Sequence, residues 1–459
     1  MAEHAFSVVG RNVVVVGAAR SGLAAAELLR KRGARVTLSE SRASFDEAAA
    51  LVSSGVQIET GGHQPGTLAQ ADLVVVSPGV PLEQPAFAAA RERGVEVIGE
   101  LELAWRWLKG RVVAITGTKG KSTATTLIGR MLDAAGRHVL VGGNIGVPVS
   151  AQVEASTDQS VHVVEVSSFQ LATTTSFRPW IAVWLNLTDD HLDRHASLEE
   201  YGDAKARIFA NQGPSDLAVV NADDPAVVRY SNQSFATRVW FSLAGTARDG
   251  YTVSDGWIGR KTPSTFERLV PLAAVRVPGQ HTLGNIVAAT AAANLAGAAA
   301  GPIDQAVRGF TGLEHVMEPV ATIRKVRFVN DSKATNVGAA RKSIESFERG
   351  VVAIIGGRYK GGNFGELKDA LAGRGRGVVA IGDAAAQVEE AMAGGPPVVR
   401  AGSMAEAVAR AYDLVGHEGI VLLAPACASF DWFRDYAERG RSFKEEVARL
   451  RARVESDLK

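Results

Sequence analysis

Short apolar runs, each followed by a helical segment, recur along almost the whole chain, and this alternation limits the possible folds more than any other feature. Asn12-Val13-Val14-Val15-Val16-Gly17 leads into an Ala- and Leu-rich stretch from Ser21 to Lys31. Val112-Val113-Ala114-Ile115 leads into a helical pattern that starts at Ser122 and carries Thr126, Leu127, Ile128, Met131 and Leu132. Unbroken apolar runs of this length suit strands covered on both faces, as in a parallel sheet between layers of helices. The pattern restarts twice. The first block adds Arg35–Leu38, Leu73–Val76 and Val95–Ile98, and the second adds Val161–Val166, Ile181–Leu187 and Leu217–Val220. A more polar region from Ser242 to Val275 reads as antiparallel strands, and an Ala-rich helix begins near Asn285. The third block holds Val326–Val329, Val351–Ile355, Val378–Ile381 and Ile420–Leu423. A chain of 459 residues has room for about three domains. The expectation is an α/β protein of three domains, 1–106, 107–311 and 312–459, the first and last Rossmann-like.

The second block carries the most informative motif, Gly117-Thr118-Lys119-Gly120-Lys121-Ser122-Thr123, between its first strand and first helix. That placement aims backbone N–H groups and the positive end of a helix dipole at one spot, where a phosphate binds. Lys121 supplies a point charge for the β- and γ-phosphates, and Ser122 or Thr123 a hydroxyl for Mg²⁺. The loop is shorter than a full Walker A, because Ile115 stands where its first glycine would be. It marks a nucleotide-phosphate site and makes the central domain a P-loop-type ATPase domain.

In open parallel sheets, ligands collect beyond the carboxyl ends of the strands. The chemical residues here fall there repeatedly: Gly17, Ser77-Pro78-Gly79, Lys121, Glu165, Asn186 to His191, Asn330 to Lys333, Gly356-Gly357 and Ala426 to Ser429. Glu165 sits in the apolar run Val161–Val166, where a carboxylate needs compensation by a cation or hydrogen bonds. Mg²⁺ beside the phosphates is one reading, and an edge-strand residue facing water is the other. Thr188-Asp189-Asp190-His191-Leu192-Asp193-Arg194-His195 is either a solvated turn or part of the same site. Taken alone, Lys205 reads as one more surface helix lysine. The first glycine loop, Gly17-Ala18-Ala19-Arg20-Ser21-Gly22 with Glu40 downstream, hints at a dinucleotide. Its middle glycine is Ala19, so another phosphate-bearing ligand or a plain structural turn remains open. In the third block, Lys333 and Lys360 with the hydroxyls of Thr335 and Ser429 suit an anionic, carboxylate-bearing substrate. Cys427 reads as structural.

Composition excludes several classes. A net charge of +1 leaves neither a nucleic-acid footprint nor an acidic tail. The lone cysteine fits a reducing compartment. No apolar stretch reaches the length of a membrane span, and no basic-then-apolar leader is visible. The expectation is a soluble, cytoplasmic protein acting as a monomer on small molecules.

Together the motifs resemble the Mur ligase family. G-T-K-G-K-S-T places the chain near Mur ligases and folylpolyglutamate synthases. G-G-N-I-G (142–146), E-V-S-S-F-Q-L (165–171) and D-H-L-D-R-H (190–195) narrow the match. N-D-S-K-A-T-N (330–336) and P-A-C-A-S-F-D-W-F (425–433) are similar to the members that add D-glutamate. The resemblance implies an ADP-forming amide ligase that uses ATP and Mg²⁺ and passes through an acyl phosphate. It implies that Ser21, Glu40 and Gly79 bind a UDP-linked substrate, and that Asn144 lies near the metals and the muramoyl group. Gly117 to Thr123, Asn285 and Asp331 would contact ATP. Ser122, Glu165, His191 and Lys205 would hold metal, Lys205 as a carbamate, with Lys121, Glu165, His191 and Lys205 as the catalytic set. Lys333, Thr335, Lys360, Ser429 and Tyr436 would meet the amino acid.

Four positions depart from the family pattern. Val316 follows His315 where an arginine is usual, so a nucleotide-facing cation is lost unless Arg324 or Lys325 substitutes. Thr282 replaces an asparagine, Lys119 stands where asparagine is common, and Tyr436 where phenylalanine is. An amide ligase with another amino acid, a nicotinamide oxidoreductase and a non-catalytic nucleotide binder are the competing readings.

Overall fold

The structure, a computed structural model, describes residues 6–188, 194–245, 249–277, 279–359 and 361–456. Three sheets organise them. The first contains β1 (Asn12–Val16), β2 (Arg35–Ser39), β3 (Gln57–Glu59), β4 (Leu73–Val76) and β5 (Val97–Gly99). They are parallel, in the order β3-β2-β1-β4-β5.

The second sheet contains β6 (Arg111–Thr116), β7 (His138–Gly143), β8 (Ser160–Glu165), β9 (Ile181–Trp184), β10 (Leu217–Asn221), β11 (Thr237–Ser242), β12 (Gly250–Ser254), β13 (Trp257–Lys261) and β14 (Phe266–Pro271). Its order is β14-β13-β12-β11-β10-β9-β6-β8-β7. It is parallel from β7 to β12, and β13 and β14 run antiparallel at one end.

The third contains β15 (Glu318–Ile323), β16 (Lys325–Asn330), β17 (Val351–Gly356), β18 (Gly375–Ile381), β19 (Val398–Ala401) and β20 (Glu418–Leu423). Its order is β15-β16-β20-β17-β18-β19, with only β15 antiparallel. All three sheets are of the α/β kind, and antiparallel strands do occupy the polar stretch between Ser242 and Val275.

The central strands are the apolar runs of the sequence. Val13–Val16, Val112–Ile115 and Val351–Ile355 are almost wholly buried, covered by helices on both faces. The strands that have no apolar run in the sequence reading are β3, β7, β11, β15 and β19, of which all but β11 lie at sheet edges. An edge strand is covered less and needs fewer apolar residues, so its signal is weak. Helix starts shift by a few residues. Gly120 caps the phosphate-loop helix, which begins at Lys121, and the Ala-rich helix begins at Gln280.

The chain divides into two compact units, Met1–Thr311 and Gly312–Lys459. The first unit joins two sheets, and its joint is built on a buried carboxylate. Glu102, on the short helix Glu100–Trp105, is fully buried. It accepts hydrogen bonds from the backbone N–H groups of Thr175, Ser176 and Phe177, each at 3.0 Å, and from the Ser176 hydroxyl at 2.6 Å. Burial opposes its ionisation, but these donors outweigh that and hold the carboxyl below its usual range. Two residues away, Glu100 Oε1 accepts from Ser150 N at 2.6 Å. Apolar packing completes the joint, since Leu28, Leu101 and Ala104 share one core cluster with Val149, Val153, Leu171 and Phe177.

Removing Glu102 would take from these N–H groups their shared carboxylate partner. Glu102→Ala is expected to destabilise the first unit by about 3 kcal/mol, read by chemical denaturation. A loss below about 0.5 kcal/mol would mean the joint rests on apolar packing alone.

Candidate active site

Glycine geometry shapes the loop between β6 and the helix Lys121–Ala134. Gly117 has φ +151° and Gly120 φ +83°, values that strain any residue with a side chain. An added Cβ on Gly120 would lie 2.2 Å from Asn285 Oδ1, so Asn285 packs directly against the loop. Lys121 Nζ donates to the carbonyls of Gly117 (2.9 Å) and Thr118 (3.0 Å), curling over its own loop.

Lys205 arrives at the same place from the helix Leu198–Ala206. It is 1 % exposed, its Nζ donates to Gly117 O at 2.9 Å, and it lies 4.4 Å from the centre of the Tyr201 ring. The surface reading of this lysine is therefore wrong. Helical periodicity could not distinguish it, because the partner carbonyl lies far away in sequence.

Glu165 ends β8, which lies between β6 and β7, so the water-facing reading also fails. It is 2 % exposed. Its Oε1 accepts from Asn144 Nδ2 at 2.8 Å, and Asn144 N donates to the Glu165 carbonyl at 2.9 Å. Its other oxygen, Oε2, is buried with no hydrogen-bond partner among the described residues. An orphaned carboxylate oxygen fits a hard cation such as Mg²⁺. Among the described residues no three His, Cys, Asp or Glu side chains converge to form a closed protein cage. His191 falls outside the described residues, as does Lys360.

In the first sheet, Ser21 lies in the first turn of the helix Arg20–Lys31, Glu40 follows β2 and Gly79 follows β4. All three lie beyond the carboxyl ends of strands. Glu40 works through its loop: Oε2 accepts from Ala18 N at 2.7 Å, and Oε1 from Arg42 N at 2.9 Å and Ser41 Oγ at 3.0 Å. Burial would raise its carboxyl, yet the bonds from Arg42, Ala18 and Ser41 overcome this and lower it to about 2. Arg194, stacked on Phe169, extends Nη1 to within 3.4 Å of Gly79 O, so the second sheet's domain touches this loop.

The second unit carries the remaining residues. Asp331 follows β16 and is buried, accepting from Met317 N at 3.1 Å and from the Ser343 hydroxyl, and burial pushes its carboxyl up. Lys333 and Thr335 lie in the turn that follows, Ser429 after β20, and Tyr436 opens the helix Tyr436–Ser456. Arg324 and Lys325 sit at the opposite end of β16 from Asp331, about 20 Å away along the strand, so neither replaces a cation at Val316.

Two residues carry more of the geometry than their sequence context suggests. Arg439 is buried and donates to Ser332 Oγ (3.0 Å), Ser332 O (2.9 Å) and Cys427 O (3.1 Å), tying the loops after β16 and β20 together. Burial lowers its guanidinium to about 10. Asn186, read only as the start of a polar run, bonds to the phosphate loop on both sides of Lys119. Neither stands out by type, since one is a helix arginine among several and the other an ordinary loop asparagine.

Residues 11–99 match the "Mur ligase MurD-like, N-terminal domain" model, 115–293 the "Mur ligase middle domain" and 317–427 the "Mur ligase, glutamate ligase domain". The chain belongs to the Mur ligase family. A UDP-N-acetylmuramoylalanine–D-glutamate ligase from Acidobacterium capsulatum is 46 % identical, covering 95 % of this chain and 96 % of its own. The enzyme of that name from Koribacter versatilis is 43 % identical, covering 96 % and 98 %. The fold of this Mur ligase is also that of a solved UDP-N-acetylmuramate–alanine ligase from Thermotoga maritima. That structure gives a TM-score of 0.55 at 20 % identity, over 96 % of this chain and 100 % of the other.

The lowered carboxyl of Glu40 sets a pH dependence for this Mur ligase. Its stabilising contribution is complete above the ordinary carboxylate value of about 4.3. It is lost as pH falls toward the folded value of about 2. The gap in unfolding temperature between wild type and Glu40→Gln is expected to shrink across that window, and a constant gap would contradict it.

Proposed function

We propose that this Mur ligase joins D-glutamate to UDP-N-acetylmuramoyl-L-alanine, forming ADP and phosphate in peptidoglycan precursor synthesis. The observation that carries the reading is its 46 % identity, over nearly full length, to a ligase of that name. The phosphate loop, the buried Glu165 and the C-terminal motifs support it. In this reading residues 1–106 hold the UDP substrate, 107–311 ATP, and 312–459 the amino acid. The protein works in the cytoplasm as a monomer. Among the described residues no helix is long and apolar enough to cross a membrane.

The chemistry proposed is an in-line attack of the acceptor's terminal carboxylate on the γ-phosphorus of ATP, with ADP leaving. The amine of D-glutamate then attacks the acyl carbon, and phosphate departs as the amide forms. Lys121 meets the β- and γ-phosphates and offsets charge on the transferring group. Bound Mg²⁺ would offset charge on the same oxygens; Ser122, Glu165 and His191 would hold metal, and Lys205 as a carbamate would help to hold a second ion. Asn285 and Asp331 position the nucleotide. Ser21, Gly79 and the Glu40-braced loop hold the UDP moiety, with Asn144 beside the muramoyl group. Lys333, Thr335, Lys360, Ser429 and Tyr436 receive the incoming glutamate.

Phosphate release with UDP-N-acetylmuramoyl-L-alanine, ATP and Mg²⁺ is expected to require D-glutamate. Release driven by a different amino acid would keep the ligase chemistry and overturn the substrate. Lys121→Ala is expected to lower kcat by about 10²–10³, with circular dichroism unchanged.

A further inference from the structure

The phosphate loop is not shaped by its own sequence alone. Asn186, two residues beyond β9, pairs with it almost as a neighbouring strand would. Its carbonyl and its Oδ1 accept from Thr118 N at 3.0 and 3.1 Å. Oδ1 also accepts from Lys119 N at 2.9 Å, while Nδ2 donates to Lys119 O at 3.0 Å. Thr118 Oγ1 accepts from Thr188 N at 3.0 Å and donates to Thr188 O at 3.1 Å.

The brace is itself anchored in the core. Trp184 Nε1 donates to Asn186 O at 3.2 Å, Asn221 Nδ2 to Leu185 O at 2.8 Å, and Leu187 N to Asp224 Oδ2 at 2.8 Å. The loop lies close against it, for a Cβ on Gly117 would come within 3.1 Å of Leu185 Cβ and 3.4 Å of Asn186 N.

We propose that Asn186 is a positioning residue that holds the phosphate loop in its ligand-receiving shape before nucleotide arrives. The proposal rests on the ATP-dependent ligase reading. The N–H groups of Thr118 and Lys119 are committed to Asn186. A preformed loop keeps the ordering entropy out of the binding step.

The test is calorimetric binding of ATP with Mg²⁺ to the full chain, alongside thermal unfolding without nucleotide and steady-state kinetics. Asn186→Ala is expected to bind ATP at least about tenfold more weakly, raising KM for ATP more than it lowers kcat. Thr118→Val, which loses both bonds to Thr188, is expected to weaken binding in the same direction, and Thr118→Ser to restore it. A lower unfolding temperature with unchanged ATP affinity in Asn186→Ala would show a merely structural role and overturn the proposal. If Asn186→Ala does not fold, equal affinities for Thr118→Val and Thr118→Ser would overturn it instead. Wild-type protein that binds no ATP would overturn the ligase reading itself, and this inference with it.

Discussion

An ion withdrawn from water must find compensating charge or dipoles, and this chain withdraws several of them at points that decide its shape. Glu102 is compensated largely by three consecutive backbone N–H groups, Arg439 by two carbonyls and a hydroxyl, and Lys205 in part by the carbonyl of Gly117. Each of these contacts crosses between segments far apart in sequence. Because a buried ion tolerates little loss of partners, each fixes the relative position of the segments it touches. Apolar burial gives the sheets their bulk, and these few charges set how loops meet at the strand ends.

The same principle separates holding residues from reacting ones. Glu40 and Glu102 have their oxygens occupied by protein donors, and their carboxyls are held low. Glu165 differs, because one oxygen is matched by Asn144 and the other is buried without a partner among the described residues. Glu100 is half-matched in the same way, so it is the position of Glu165 at the end of β8, next to the strand that leads into the phosphate loop, that makes its free oxygen a candidate for a cation. Val316 lies between His315 and Met317, whose φ values are +63° and +43°. The backbone there departs from ordinary geometry on both sides of Val316.

Much of this was legible in the residues. Buried central strands declare themselves by unbroken apolar runs, and the phosphate loop by glycine and lysine spacing between a strand and a helix. Both signals are local, so a linear reading recovers them. Edge strands such as β3 and β19 lack the apolar surplus and were not read. Lys205 could be placed only through resemblance, since its burial depends on a loop 88 positions away. Asn186, Arg439 and Glu102 act through contacts with distant backbone atoms, and backbone partners leave no trace in residue type. The expectation that Arg324 or Lys325 supplies the cation that Val316 lacks fails for a related reason, because closeness in sequence across a hairpin is not closeness at the site.

The joint at Glu102 has one more implication. It ties the first sheet to the second within one compact unit, and Arg194 reaches from the second to the Gly79 loop of the first. Under the proposed function, the glycine loop that grips the nucleotide end of the acceptor and the phosphate loop that activates its other end belong to one compact unit. Such an arrangement works as a calliper. In that reading it would measure the acceptor by length, so that a molecule carrying the right reacting group on too short a stem would fit one jaw and miss the other.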